Sequence, residues 1–203
     1  MRTVCERTLD HGNEVYVYFV DFEKAFDRVD WVKIFEILKH LHNDWKDRRL
    51  LKDLYMRQEA AIRIADGESD PGTIGQGVRQ GCPLSPLLFS IYAEVMMIEA
   101  LENVEAEEGI VVGGQIISEV RFAADQGMVA STEKGLQSLM NKLNDTAKKF
   151  NMKINVQKTK TMVMCKDGGG VVNITIDGQR VEQVESFKYL GAIFQKMEEG
   201  LMM

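Results

Sequence analysis

Apolar and polar residues alternate with different periods along this chain, and each change of period marks a change of element. Residues 14–22, EVYVYFVDF, are aromatic and β-branched almost without interruption, which predicts a buried strand closing on Asp21. The period then lengthens. Asp30 precedes Trp31, Ile34, Phe35, Leu38 and Leu41, one face of an N-capped helix. A second helix is expected over roughly 44–57, with Leu50, Leu51, Leu54 and Tyr55 as its apolar stripe. AAIRIADGES reads as a strand and a tight turn at Asp66-Gly67. Four glycines and two prolines make residues 72–86, GTIGQGVRQGCPLSP, a shaped loop. The apolar run LLFSIYAEVMMIEALENV behind it predicts a helix, buried at its start and acidic at its end. VVGGQII reads as a hairpin turning at Gly113-Gly114, and VRFAADQGMVA as a second hairpin. Thr132 caps a helix through Phe150 that turns Leu136, Leu139, Leu143, Ala147 and Phe150 inward. Strands near 160–165, 172–176 and 180–184 follow, with turns at Gly168-Gly169-Gly170 and Asp177-Gly178. The predicted fold class is α+β, an antiparallel β-sheet with helices packed on one face.

With 203 residues, 45% of them hydrophobic and 28% charged, the chain is expected to form a single domain (1–203) with a substantial core. No apolar run is long enough to span a bilayer, and the charged N-terminus does not resemble a secretory signal. Cys5, Cys82 and Cys165 form neither a zinc signature nor an even disulfide set, so reduced thiols and an intracellular location, nuclear or cytoplasmic, are expected. The net charge of −6 argues against a general nucleic-acid binder. Its distribution is uneven: residues 94–119 hold seven acids and no base, and residues 141–166 hold seven lysines and one acid, Asp145. Two solvated faces of opposite sign explain this, and so does a lysine patch that touches phosphates.

Asp21 ends a hydrophobic strand, and Asp125 lies in a hairpin. Together they could gather carboxylates around Mg²⁺, which takes hard oxygen ligands and, as a pair, clamps both oxygens of a phosphoryl transfer. A helix cap and a turn residue explain the same two aspartates on local grounds.

Five segments in order, VYFVDFEKAFDRVDW, GVRQGCPLSPLLFSIY, VRFAADQGMVA, MKINVQKTKTMV and FKYLGAIF, resemble the palm motifs of reverse transcriptases of non-LTR (LINE-type) retrotransposons, from about Val15 to Phe194. The resemblance implies a polymerase-type palm and an RNA-directed DNA polymerase activity that uses Mg²⁺ or Mn²⁺, an RNA template and a DNA primer. It makes Asp21 the catalytic aspartate of the first motif, with the Phe22 carbonyl helping to hold the metal. Phe26 matches the residue that bars a ribose 2′-hydroxyl; core packing explains it too. Gln80 and Gly81 match the loop that approaches the template base and nascent pair. Lys158 matches the general acid for the leaving pyrophosphate, and otherwise reads as part of a solvated face. Phe187, Lys188, Tyr189, Leu190 and Gly191 match the primer grip.

The third motif departs from the family's pair of aspartates. Phe122-Ala123 is kept, Ala124 stands at the first aspartate, and Asp125 keeps the second. The resemblance assigns the first position to a ligand of both metals, so Ala124 removes an oxygen donor and a negative charge. Successive strand residues point to opposite faces, so Asp125 is not expected to replace it. Gln126 and Gly127 follow where apolar residues are expected. Fingers and thumb are expected to be largely missing, and no endonuclease domain is expected. The resulting expectation is a catalytically inactive palm derived from a retroelement, with weakened metal, template and primer binding. Two alternatives stand beside it: a protein-interaction module contacting a partner through the acidic 94–119 segment, or an active polymerase completed by missing subdomains.

Overall fold

The structure is a computed structural model that describes residues 2–64, 67–105, 108–112, 114–122, 125–165, 170–189 and 191–195. The chain gathers into two compact units: a sheet unit of residues 1–23, 97–149 and 153–203, and a helical unit of residues 24–96 and 150–152. In chain order the elements are α1 (Arg2–Asp10), β1 (Val15–Val20), a single 3₁₀ turn (Ala25–Arg28), α2 (Trp31–His40), α3 (Trp45–Tyr55), β2 (Glu59–Ala60), β3 (Arg63–Ile64), β4 (Gly67–Glu68), β5 (Gly72–Thr73) and α4 (Ser85–Ala100). There follow β6 (Ile110–Val112), β7 (Gln115–Ile117), β8 (Glu119–Phe122), β9 (Asp125–Ala130), α5 (Glu133–Lys149), β10 (Lys160–Met164), β11 (Thr175–Ile176), β12 (Gln179–Arg180), β13 (Glu182–Gln183), β14 (Ser186–Tyr189) and β15 (Ala192–Gln195).

The sheet unit is built on five strands in the order β13-β10-β1-β9-β8. All pairs are antiparallel except β10 with β13, which is parallel. β1 is the middle strand, and its VYVYFV sequence is buried at every position but one, as a strand flanked on both edges and covered on both faces requires. Its odd positions, Val15, Val17 and Phe19, join one apolar cluster with Cys5 and Leu9 of α1, Val129 of β9 and Met162 and Met164 of β10. The β14–β15 hairpin closes that cluster: Phe19 stacks on Phe187 at 4.3 Å and meets Tyr189 and Phe194 at 5.1 and 5.7 Å. Burying rings of this size contributes about 2–3 kcal/mol each, so the hairpin is held by side chains although it shares no ladder with the sheet.

Helix α5 packs on β1 and β9. Its cap is the expected one, with the Gly135 N–H donating to Thr132 Oγ1 at 2.9 Å, and Leu136, Leu139, Leu143 and Ala147 are fully buried. Helix α1 was not announced by the sequence pattern, because only its Cys5 and Leu9 reach the apolar cluster. The expected strand at 172–176 shortens to β11, and that at 180–184 divides into β12, which pairs with β11 through a turn at Asp177 and Gly178, both with positive φ, and β13, which joins β10. The reason is local. Val172 N–H donates to Gln183 Oε1, Asn173 N–H to Glu133 Oε1 and Thr175 N–H to Gln137 Oε1, so side chains take bonds that a neighbouring strand would have supplied. The expected turns at Asp66, Gly113 and Gly168-Gly169 lie outside the described residues.

In the helical unit Asp30 caps α2 as expected, accepting from the Val32 and Lys33 N–H groups at 2.8 and 3.1 Å. The inward face is Trp31, Ile34, Ile37 and Leu38; Phe35 is half-buried and Leu41 exposed, contrary to the predicted stripe. The stripe assigned to α3 is also corrected. Tyr55 is buried, but Leu51 is half-buried, Leu54 is exposed and Leu50 is 71% exposed. What packs inward is the line Arg48, Leu51, Tyr55, fixed where Tyr55 meets Trp31 edge-on at 5.9 Å and its hydroxyl lies 3.4 Å from Ser85 Oγ. Helix α4 starts at Ser85, inside the expected loop and two residues before the apolar run that predicts it. Tyr92 on it is fully buried, and its hydroxyl donates to the Phe150 carbonyl at 2.6 Å. That bond secures residues 150–152 within the helical unit.

Candidate functional site

In the sheet unit, Asp21 is half-buried and follows directly on β1, on the same face as Val15, Val17 and Phe19 by strand alternation. Its backbone is held on both sides by the turn 155–159. The Asn155 N–H donates to the Asp21 carbonyl at 2.8 Å, and the Asp21 N–H reaches the fully buried Thr159 hydroxyl at 3.3 Å. Phe22 then forms an antiparallel bridge with Ile154, flanked by the Asn155-to-Asp21 and Glu23-to-Lys153 bonds. In a pair of that kind the residue's own N–H and C=O point away from the bridging strand. The Phe22 carbonyl therefore faces away from segment 153–155.

The same turn carries Lys158. Asn155 Oδ1 accepts from the Lys158 N–H at 3.2 Å, and the Thr159 N–H donates to the Asn155 carbonyl at 2.9 Å. One short segment thus places the exposed Lys158 beside the backbone that holds Asp21. Sequence reasoning missed Asn155 and Thr159, because they sit among Lys153, Gln157, Lys158 and Lys160 and no local pattern sets them apart.

Strand β9 runs antiparallel to β1, and Val20 opposite Gln126 is the last pair of that ladder; Asp21 follows Val20 and Asp125 precedes Gln126 at the same end. The β8–β9 register pairs Phe122 with Asp125, which leaves residues 123 and 124 to connect them. Ala124 itself lies outside the described residues. Gln126 is 1% exposed and its Oε1 has no hydrogen-bond partner, so the strand buries a polar atom at a cost.

In the β14–β15 hairpin, Tyr189 is buried against Phe19, whereas Lys188 and its cross-strand neighbour Ile193 are exposed. Gly191 turns the hairpin with φ +78°, a conformation that favours glycine. Leu190 lies outside the described residues.

The helical unit holds Phe26, Gln80 and Gly81 together. They line one pocket of about 490 Å³ with Arg79, Cys82, Pro83, Ser85 and Pro86. Phe26 stacks on Phe89 of α4 at 4.6 Å, so core packing and pocket wall are both true of it. A seam of bonds joins the Phe26 turn to the loop: the Gly77 N–H to the Val29 carbonyl and the Val78 N–H to the Phe26 carbonyl, both 2.8 Å, and Trp31 Nε1 to the Gly77 carbonyl at 2.7 Å. Gly77 has φ +90°, and a Cβ there would lie 3.0 Å from the Asp27 carbonyl oxygen, so only glycine fits. Gly81, with φ +82°, borders open space. In the same loop a hydrogen bond from the Leu84 backbone holds the Cys82 thiol below its ordinary range.

The charge runs largely answer each other within the sheet unit. Lys142 meets Glu108 at 2.6 Å and Lys149 meets Glu99 at 3.4 Å, so the acidic segment and the lysine run pair directly. Lys148 binds Asp177, Lys153 binds Glu23 and Lys160 binds Glu182. Among the described residues Lys158 is the lysine of this run that has no ion pair. Burial pushes Glu108 up, but hydrogen bonds from Lys142, Ser138 and the Glu105 backbone, with the Lys142 charge, outweigh it and hold the carboxyl below its ordinary value.

The half-buried Asp21 carboxylate and the outward Phe22 carbonyl are oxygen donors of the kind Mg²⁺ takes. Among the described residues no three His, Cys, Asp or Glu side chains gather to hold a metal, and Ala124 has no oxygen in its side chain. No helix among the described residues is long and apolar enough to cross a membrane.

A central strand ending in a fixed aspartate, a hairpin alongside it and a glycine-rich pocket define a polymerase-type α+β domain. Solved structures share this fold: apo telomerase from Candida tropicalis truncated from its C-terminal domain matches with a TM-score of 0.64 at 16% identity, over 96% of this chain and 38% of that one. Telomerase of the same organism in complex with a fragment of telomeric RNA matches with a TM-score of 0.63 at 14% identity, over 89% and 30%.

The family reverse transcriptase (RNA-dependent DNA polymerase) matches residues 1–194, and the chain belongs to it. Its relatives come from non-LTR elements. They include the Pol polyprotein of retrotransposable element R2 from Nasonia vitripennis, 24% identical over 89% of this chain and 18% of that protein. The RNA-directed DNA polymerase of mobile element jockey from Drosophila melanogaster is 26% identical over 85% and 19%. The chain therefore spans less than a fifth of the length of these relatives.

Proposed function

We propose that this chain is the palm of an RNA-directed DNA polymerase of a LINE-type element in which metal-dependent nucleotidyl transfer has been lost at position 124. The observation that carries the proposal is the alanine at position 124 of the sequence, next to Asp125, whose strand pairs with β1 at the end from which Asp21 follows. In the family a divalent cation supplies charge stabilisation for the attacking and leaving oxygens. Here Asp21 and the Phe22 carbonyl offer donors without the carboxylate that would complete the set. Removing metal-assisted stabilisation costs several kcal/mol, and each ~1.4 kcal/mol is a factor of ten in rate.

The remaining residues keep positions suited to substrate. Phe26 walls the pocket against a ribose 2′-hydroxyl, Gln80 and Gly81 bring backbone close to the template base, and Lys158 offers a proton to a leaving pyrophosphate. The exposed Lys188 and the turn at Gly191 present a primer-binding edge. RNA template and DNA primer are the proposed partners. Their hold is weakened, because five lysines of the 141–166 run are already neutralised by carboxylates of this chain. The same pairing leaves the acidic 94–119 segment fewer free charges for a protein partner.

The test has two readouts, Mn²⁺ affinity and primer extension on an RNA template. Ala124→Asp is expected to tighten Mn²⁺ binding at least tenfold and to raise extension by about a thousandfold or more. Asp21→Ala in that background should remove both gains. Extension by the unmodified chain that Asp21→Ala abolishes would overturn the inactive reading, and unchanged Mn²⁺ affinity in Ala124→Asp would overturn the assignment of the defect to that position.

A further inference from the structure

Residues 150–152 enter the helical unit from the far end of the chain, and Asn151 is placed there in a way its own helix does not require. It follows α5 with φ +53°, a left-handed conformation that asparagine tolerates better than other residues with a side chain. Its Nδ2 donates to the Arg28 carbonyl at 3.1 Å and to Gln76 Oε1 at 3.0 Å. Arg28 ends the turn that carries Phe26, and Gln76 begins the stretch that leads into Gln80 and Gly81. Both N–H groups of one amide therefore tie together the two segments that wall the pocket.

We propose that Asn151 is a positioning residue for this pocket: its amide fixes the Phe26 turn against the 76–81 loop and thereby sets the discrimination between deoxyribose and ribose. The proposal rests on the nucleotide reading of the pocket given above. The backbone bonds at Gly77 and Val78 join the same two segments to each other, whereas Asn151 braces both from a third segment through a side chain that can be removed alone. The Phe26 ring is held from behind by Phe89. Loosening the brace leaves the ring packed and lets the turn beneath it slide, which moves the wall that meets the 2′ position.

The experiment uses Asn151→Gly, which keeps the left-handed backbone at no steric cost and removes only the amide, and Asn151→Asp, which keeps the shape and removes both donors. The first readout is alkylation of Cys82 by iodoacetamide in the native protein, followed by mass spectrometry. Cys82 sits half-buried in the loop, while Cys5 and Cys165 are buried. Both variants are expected to label about tenfold faster at Cys82 with α5 and β1 unchanged in hydrogen exchange. The second readout is the affinity for dTTP relative to UTP with Mn²⁺, and the ratio should shrink at least threefold. Unchanged labelling overturns the positioning role. Faster labelling with an unchanged dTTP/UTP ratio overturns the selectivity role. If the unsubstituted protein binds neither nucleotide, the nucleotide reading fails and the selectivity role falls with it, while the labelling rate, which needs no nucleotide, reads the brace separately.

Discussion

The end of β1 with its neighbouring hairpin and the pocket around Phe26 differ in how firmly their residues are held. Around the pocket the segments are tied down: Phe26 by a stacked ring, the loop by three backbone-linked bonds, and Gly77 by the Asp27 carbonyl a Cβ would crowd. At the hairpin the chain carries Ala124, where the proposed function needs a carboxylate, and two residues on a buried Gln126 leaves its Oε1 without a partner. The difference is one of tolerance. A substitution in the pocket seam strains backbone shared by two segments, whereas one at Gln126 alters the side-chain packing of a single strand.

That contrast can be broken by measurement. The largest stability effect is expected at Gly77→Ala, where a left-handed φ and backbone contact at 3.0 Å together cost about 2–4 kcal/mol in chemical denaturation. Gly81→Ala in the same loop, facing open space, should lose only about 1 kcal/mol. Equal losses at the two glycines would mean that the seam does not hold the loop. The hairpin should respond with the opposite sign. Gln126→Leu removes a buried orphan oxygen at similar volume and is expected to stabilise the protein by about 1–2 kcal/mol, read as a higher denaturation midpoint. A loss there would show that the glutamine is satisfied in solution.

The smallest effect concerns Glu108, which couples the acidic segment to α5 through Ser138 and Lys142. Its carboxyl is held below the ordinary value, so its contribution is present above the unfolded-state pKa near 4.5 and is lost as pH falls through the lower folded-state value. Glu108→Gln should therefore cost about 1 kcal/mol at pH 7 and flatten the fall in stability between neutral and acidic pH. A variant whose stability falls with acid as steeply as that of the unmodified chain would remove Glu108 as a source of that dependence.

Periodicity and turn chemistry in the sequence determined the strand 15–20, the Asp30 and Thr132 caps and the helix behind the glycine-rich loop. All of these depend on residues a few positions apart, where covalent geometry sets which side chains share a face. Tertiary structure alone decided the rest. Leu50, Leu54 and Tyr55 look equivalent along the chain, yet only Tyr55 meets Trp31 and Ser85 and is buried. The sequence left the lysine run open between a solvated face and a phosphate patch, and only the fold brings Glu99, Glu108 and Asp177 within reach of it. Asn155, Thr159 and Asn151 carry no local signal of their role, because the groups they hold lie 75 to 138 positions away, except for the Asn155 contacts within its own turn. Partners that distant are chosen by how elements pack, and no local period in the sequence encodes that.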